Sequence, residues 1–381
     1  MRIVHVSDCF PPRTGGIETQ VNDLAAYQVA AGHEVHVLTG TLGPGQERGG
    51  AVQDVGGVKV HRLGARMPFE LPVNPRGPHL VAEALRMVAP DVVHVHAGVV
   101  SPFAFDGARL AVAAGLPTAI TWHCMLDGIA PALHRAVQAS HWRTVPAALS
   151  AVSSAAAERV SAVFEGQRVD VLPNGVDLDR WAPHGDPERA DRPGERGPLR
   201  LVATMRLAPR KRAVPLVRAV AEAARRLPPD RLRLTVLGSG PARASVQAAV
   251  ADSGLEHLVE LRGQVPRDEV RSTYLEADVF LAPAELEAFG IAALEARAAG
   301  LVVVARRGTG IAEFVVDGVD GLLVDDDDEM ALAIVRLARD GALLDRIAAH
   351  NRAQRPDFGW QRVLVAAQAE YERARSLVGL P

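Results

Sequence analysis

Pro283-Ala-Glu-Leu-Glu287-Ala-Phe289-Gly290-Ile291-Ala-Ala-Leu-Glu295-Ala-Arg297-Ala-Ala-Gly300 is the stretch whose reading decides the fold. An apolar run at 279–282 precedes it and reads as a short strand. The segment after Phe289-Gly290 has helical composition, and Gly300 stands where a helix C-terminal glycine is expected. Strand, glycine turn and helix N-terminus leave free backbone N–H groups at the positive end of a helix dipole, a seat for an anion or for sugar hydroxyls. Glu287 lies just before this helix and Glu295 eight residues later. Helical rise puts their carboxylates roughly 9–12 Å apart, beyond the about 5–5.5 Å of a retaining glycosidase pair. That spacing suits two separate hydrogen-bonding duties along one elongated ligand better than an acid–base couple.

The chain has 381 residues, more than one ordinary core, so two domains are expected. With 48% hydrophobic residues and a net charge of −3 it reads as globular, without the basic surface a nucleic-acid partner would need. Residues 1–6 read directly as a strand, so no signal peptide is expected, and no apolar run reaches membrane-spanning length. Cys9 and Cys124 are too few for a disulfide framework and are expected as free thiols in a cytoplasmic protein.

Residues 1–172 alternate strand-like and helix-like segments, the pattern of a parallel, doubly wound α/β sheet whose ligands gather at the carboxyl ends of the strands. The unusual residues sit there: Asp8 through Glu18 after the first strand, His94 and His96 in the fourth, and Trp122-His123-Cys124 after the fifth. Gly15-Gly16 before a helix permits close approach to phosphate or sugar, or equally a turn into the helix that needs positive φ. His94 and His96 alternate on a strand, so one is expected to face a cleft and the other to be a bonded core histidine. A zinc site would need further ligands, and none is evident in the sequence.

Residues 174–198 read as a linker, its part from 182 onward rich in Pro, Gly and charge. A second alternating series spans 199–358. Its first strand ends in Arg206-Leu-Ala-Pro-Arg210-Lys211-Arg212, cations at the place where a parallel sheet binds ligands. Later strand ends carry Gly238-Ser-Gly240-Pro, Arg262-Gly-Gln-Val265 and Gly308-Thr309-Gly310. The acidic run 325–328 is read as a helix N-terminus rather than a metal site.

These segments resemble the retaining GT-B glycosyltransferases of family 4, most strongly from 173 to 313, with residues 283–300 similar to the family's Glu-x7-Glu signature. The resemblance implies two facing Rossmann-like domains with a deep cleft: 1–173 completed by a C-terminal helix at 359–381, and 199–358. It implies that Glu287 holds the donor sugar, that the Phe289, Gly290 and Ile291 backbone contacts sugar and phosphate, and that Glu295 binds the ribose. Arg206 and Lys211 would grip the diphosphate, Gly15 and Gly16 would lie beside it, and Gly238 and Val265 would border the nucleotide. His123 would contact the donor sugar or phosphate from the first domain. The departures are Arg212 and Thr309 where glycine is common, Leu301 for a proline, and Arg297 for an apolar residue.

The implied reaction moves a hexose or N-acetylhexosamine from a UDP- or GDP-sugar to an acceptor hydroxyl, with no metal or other cofactor. An Arg fork and a Lys charge would stabilise the leaving diphosphate. A hydrolysing sugar-nucleotide epimerase and a catalytically silent sugar-nucleotide-binding protein remain as alternatives. The segment 62–86 is expected to be an acceptor loop, and its prolines do not indicate a membrane-bound helix.

Overall fold

The computed structural model describes residues 1–13, 15–42, 51–65, 74–183 and 197–379. Two units separate, one of Met1–Gly175 with Trp360–Pro381, the other of Val176–Gly359.

In the first unit the chain runs β1 (Arg2–Ser7), α1 (Gly16–Ala30), β2 (Glu34–Thr39), β3 (Ala51–Val55), β4 (Val58–Arg62), α2 (Gly77–Val88) and β5 (Val92–Ala97). It continues through α3 (Pro102–Ala113), β6 (Thr118–Trp122), α4 (Ala130–Gln138), β7 (Ala148–Ala151), α5 (Ser154–Val163) and β8 (Val169–Val171). The sheet order is β3-β4-β2-β1-β5-β6-β7-β8. Every pairing is parallel except β3–β4, which the alternation did not predict. Val55-Gly56-Gly57-Val58 closes that hairpin with both glycines at positive φ, 61° and 88°, the backbone a two-residue hairpin turn demands. The inner strands are apolar and buried, as strands covered on both faces must be, whereas the edge strands β3 and β8 are half-buried to exposed.

The second unit holds α6 (Leu178–Trp181), β9 (Leu199–Thr204), α7 (Ala213–Arg225), β10 (Leu232–Leu237), α8 (Arg243–Asp252), β11 (Val259–Gly263) and α9 (Arg267–Glu276). There follow β12 (Val279–Ala282), α10 (Ile291–Ala298), β13 (Val302–Arg306), β14 (Gly321–Val324), α11 (Asp327–Arg339) and α12 (Gly341–Ala353). Its all-parallel order is β11-β10-β9-β12-β13-β14. Leucine, valine and alanine from the strands and from α7, α8, α11 and α12 make one core. Of the expected linker, residues 184–196 lie outside the described residues, whereas residues 176–181 fold into this unit. Asp177 caps α6 by accepting from Arg180 N at 3.0 Å, and the buried Trp181 ring stands 5.5 Å from Tyr274.

The last helix, α13 (Trp360–Leu377), belongs to the first unit and lays Ala367, Tyr371 and Ala374 against Ile3, Val92, Ala119 and Ala148 of its sheet. In the expected acceptor loop, residues 66–73 lie outside the described residues. Arg62 is buried there, donating to Pro11 O at 2.6 Å with its guanidinium over the Phe10 ring.

Candidate active site

In an open parallel sheet the ligand crevice forms where the strand order reverses. In the second unit that point lies between β9 and β12. The tail of β9 carries Arg206 and Lys211, and the tail of β12 carries Glu287. Across this point Lys211 Nζ meets Glu287 Oε2 at 2.5 Å, each side chain about one-fifth exposed, at 19% and 21%. The structure thus joins two residues assigned separate duties on the donor. The pair fixes the direction of both side chains and leaves Lys211 protons and the other carboxylate oxygen for a ligand. Arg206 is exposed and has no side-chain hydrogen bond or ion pair among the described residues.

Close backbone packing shapes this crest. A Cβ on Gly238, at φ 124°, would stand 2.0 Å from Met205 O, and Leu207 N donates to Ser239 O at 2.9 Å. Only glycine lets the β10 turn lie this close to the β9 tail. Gly310 N likewise donates to Glu287 O at 2.8 Å, and a Cβ on Gly310 would stand 2.0 Å from Ala288 O. Gly290, at φ 90°, precedes α10, whose first amides have no partner within the helix. The Phe289 ring is buried against Phe314 and Phe358, centroids 5.5 and 5.6 Å away, so it anchors the loop and offers only its backbone to a ligand. Glu295 is nearly buried on α10 and accepts from Arg267 Nη2 at 3.0 Å. Val265 is half-buried beyond the end of β11.

The departures from the family pattern acquire physical reasons here. Arg212 adopts the left-handed conformation, φ 60°, where glycine is at ease. Its guanidinium pairs with Asp327 at 2.6 Å and Glu285 at 3.3 Å, and Arg306 also reaches Glu285, at 2.7 Å. Thr309 has extended φ, −103°, so no glycine is needed, and its hydroxyl donates to Arg306 O at 2.8 Å. Arg297 is buried and bonds Asp320 at 2.7 Å, which His350 also contacts at 3.1 Å. Burial pushes the Arg297 guanidinium below its ordinary pKa. In the acidic run, Asp326 caps α11 by accepting from Glu329 N at 2.8 Å, Asp327 pairs with Arg212, and Asp325 pairs with Arg307.

In the first unit the order reverses between β1 and β5. Asp8, just past β1, accepts from Phe103 N at 3.0 Å and Ala104 N at 3.2 Å, occupying the N-terminus of α3. Burial pushes its carboxyl up to about 6, against the pull of those amides. Gly15 and Gly16 are exposed where α1 begins. Gly15 is extended, φ 175°, so the positive-φ reading does not hold for it; a Cβ there would meet the Glu18 carboxylate at 2.4 Å.

His94 and His96 correct the expectation that they face opposite ways. Two residues apart on a strand, they share one face, and their rings lie 4.2 Å apart. Both are buried, and β1 adds His5, the further histidine that the sequence alone did not bring to them. The ring nitrogens are taken: His5 by His96 and Gln28, His94 by Tyr371 and Thr121, His96 by His5 and His123. These contacts link the cluster into a hydrogen-bonded chain. His123 ends it, half-buried after β6, with Nε2 at 3.0 Å from His96 Nδ1. Burial lowers the His123 imidazole to about 4, so it is neutral at pH 7. A pocket of about 20 Å³, room for about one water molecule, opens beside His94, His96, Thr121 and His123. Cys9 and Cys124 form no disulfide, and among the described residues no helix is long and apolar enough to cross a membrane.

A sequence profile described as Glycosyltransferase Family 4 matches residues 14–180, and one described as Glycosyl transferases group 1 matches residues 198–340. The chain is 32% identical to a GDP-mannose-dependent alpha-(1-6)-phosphatidylinositol monomannoside mannosyltransferase of Mycolicibacterium smegmatis, over 86% of each chain. It is 30% identical to a D-inositol 3-phosphate glycosyltransferase of an Arthrobacter species, over 94% of this chain and 90% of that one. It is 28% identical to a phosphatidylinositol N-acetylglucosaminyltransferase subunit of Arabidopsis thaliana, over 98% and 82%. Among solved structures, Anabaena HepE in complex with UDP and glucose superposes with a TM-score of 0.73 at 21% identity, over 97% of this chain and 99% of that one. Sucrose-phosphate synthase of Thermosynechococcus elongatus does so at 0.76 and 20%, over 98% and 99%. Matched nearly end to end, with two parallel sheets of the GT-B fold, the chain belongs to the group 1, family 4 glycosyltransferases, enzymes that move a sugar from a nucleotide-sugar donor to an acceptor hydroxyl.

Proposed function

We propose that this glycosyltransferase transfers a hexose or N-acetylhexosamine from a UDP- or GDP-sugar with retention and without a divalent metal, and that its acceptor is an inositol-bearing phosphate. The Lys211–Glu287 pair at the β9/β12 reversal carries the donor reading, because it sets a cation for a leaving diphosphate beside a carboxylate for sugar hydroxyls. Arg206, on the same tail, adds a further cation, this one without a side-chain partner among the described residues. The acceptor hydroxyl attacks from the face the nucleotide leaves, and its proton passes to a phosphate oxygen of the donor. No protein nucleophile is needed. The acceptor class is supported by the mannosyltransferase, the glycosyltransferase and the N-acetylglucosaminyltransferase above, whose names all contain inositol. Two cysteines without a disulfide suit a cytoplasmic setting.

Thermal stabilisation by UDP-, GDP- and TDP-sugars identifies the donor, and transfer to inositol 1-phosphate, inositol 3-phosphate and phosphatidylinositol identifies the acceptor. Proton NMR of the product should show the donor's anomeric configuration kept, and EDTA should leave the rate unchanged. An inverted anomer or an EDTA-dead enzyme refutes retention or metal independence respectively. Inversion of a ring stereocentre in the donor without any acceptor would make the chain an epimerase instead.

A further inference from the structure

One continuous side-chain hydrogen-bond chain runs through the first unit. It links His123 to His96 (3.0 Å), His96 to His5 (2.9 Å), His5 to Gln28 (2.7 Å), Gln28 to Tyr371 (2.8 Å) and Tyr371 to His94 (2.9 Å). From His94 it continues to Thr121 (2.7 Å) and Ser150 (2.8 Å). All members except His123 are buried. Neighbouring charges would not stabilise an imidazolium here, since the groups along the chain are neutral, and burial holds the pKa of His94 and His96 well below the ordinary histidine value.

A neutral imidazole has one N–H and one bare nitrogen, so the direction of one link at a histidine dictates the direction of the next. Gln28 turns its carbonyl oxygen to His5 Nε2 and its amide nitrogen to the Tyr371 hydroxyl. His5 therefore donates from Nε2 and accepts at Nδ1 from His96 Nε2–H, and His96 accepts at Nδ1 from His123 Nε2–H. On the other branch Tyr371 donates to His94 Nδ1, His94 Nε2–H donates to Thr121, and Thr121 donates to Ser150. Each link of the chain then has one donor and one acceptor. His5, His94, His96 and His123 all take the Nε2–H form, the one a neutral histidine side chain intrinsically favours. Turning the Gln28 amide over would convert all of them to Nδ1–H together.

We propose that Gln28 is a positioning residue that, through His5 and His96, fixes His123 with a bare Nδ1 facing substrate as an acceptor-only group, so that His123 selects a sugar hydroxyl rather than a phosphate oxygen. This rests on the reading of His123 as a residue of the transfer site. His123 Nδ1 has no partner among the described residues, and His123 is half-buried and lines the small pocket beside His96. A bare nitrogen attracts a hydroxyl proton and repels the lone pairs of a phosphate oxygen.

Histidine-selective ¹⁵N NMR on the full chain at pH 7.5, with no nucleotide sugar present, tests it. Expected are Nε2–H forms for His5, His94, His96 and His123 alike, unchanged between pH 6 and 8. Mixed forms among them, a uniform Nδ1–H set, or an imidazolium at pH 7.5 would overturn the proposal. Gln28→Met should then release His123 into a mixture of tautomers and lower kcat about 10-fold, with KM for the donor nucleotide sugar within about 3-fold. Tyr371→Phe, cutting the chain on the other side of Gln28, should also blur the His123 signal. A His123 spectrum untouched by either variant overturns the link to Gln28. An intact wild-type spectrum beside full activity of His123→Ala would leave the hydrogen-bond chain in place and overturn the reading of His123 as a site residue, and with it the substrate end of the proposal.

Discussion

Replacing Lys211 by alanine removes one cation from the place proposed for the leaving diphosphate, and it also strips Glu287 of its partner at 2.5 Å. Deleting a preorganised group that meets developing charge costs about 2.7–4 kcal/mol, or roughly 10²–10³ in kcat. In the free enzyme the same substitution breaks an ion pair intermediate in burial, between exposed pairs worth about 0.2–1 kcal/mol and buried ones whose breaking costs about 3–5 kcal/mol. About 1–2 kcal/mol of stability is then at stake, discounted for the one-fifth exposure of each side chain. The two effects separate experimentally. Urea unfolding of Lys211→Ala, Glu287→Gln and the double variant gives the pair's coupling in the absence of ligand. Steady-state transfer on the same three proteins gives their joint role in the reaction. Because one residue orients the other, the double variant should lose about 10-fold less activity than the product of the single losses. A Lys211→Ala enzyme that turns over within about 3-fold of the wild type refutes the diphosphate role. Losses that multiply without coupling refute the idea that the pair acts as a unit.

Other outcomes follow from the same geometry. Gly310→Ala forces a Cβ to 2.0 Å from Ala288 O and displaces the Glu287 loop, so nucleotide-sugar affinity by calorimetry should fall at least about 10-fold while circular dichroism stays native; unchanged affinity would show the loop yields freely. Arg297→Leu strands Asp320, 3% exposed, with the His350 ring as its remaining side-chain neighbour, so the protein should lose about 3–5 kcal/mol in urea unfolding; a neutral or stabilising result would mean the leucine repacks well enough to replace the pair. Acidification should destabilise the fold. His5, His61 and His123 are lowered to about 4, so their contribution is complete above the unfolded value near 6.5 and is lost as pH falls toward 4. Asp8, raised to about 6, works oppositely, its contribution complete below about 3.8 and lost as pH rises through 6. Because the lowered histidines, His94 and His96 among them, outnumber the raised carboxyls, Tm should drop between pH 7 and pH 5, and a Tm that rises over that interval contradicts the buried, neutral state of the histidine groups.

The crest of the second sheet is legible in the sequence because its parts are local. Glycines and charges cluster within a few residues of each strand end, and a parallel sheet delivers those ends to one edge. What the sequence hides is which of them meet. That Lys211 should bond Glu287 depends on β12 lying next to β9, a crossover that no short pattern encodes. Arg212 shows the same limit from the other side. Read locally, an arginine in place of glycine weakens the motif. In the fold it keeps the glycine-like backbone, φ 60°, and Asp327 and Glu285, far away along the chain, fasten its side chain.

The histidines make the sharper case. The alternation rule applied to His94 and His96 yields one shared face once the period of two is counted correctly, so that much was available from spacing alone. His5 carries the same signal, a lone imidazole between two valines in an otherwise apolar stretch of strand. Gln28 and Tyr371 carry none, since a glutamine and a tyrosine on helices are ordinary until the helices dock on the same sheet face as the histidines. A buried polar chain of this length is tolerable only when each member is satisfied, because one unpaired group in a low-dielectric core costs about 1–3 kcal/mol. The distances, 2.7–3.0 Å along the chain, meet that condition from Ser150 to His96, and they leave one nitrogen over, at His123, where the chain reaches the surface. A core that sets a single acceptor at its exposed end uses its polar groups for direction rather than for stability, and direction is what a site that distinguishes a hydroxyl from a phosphate oxygen requires.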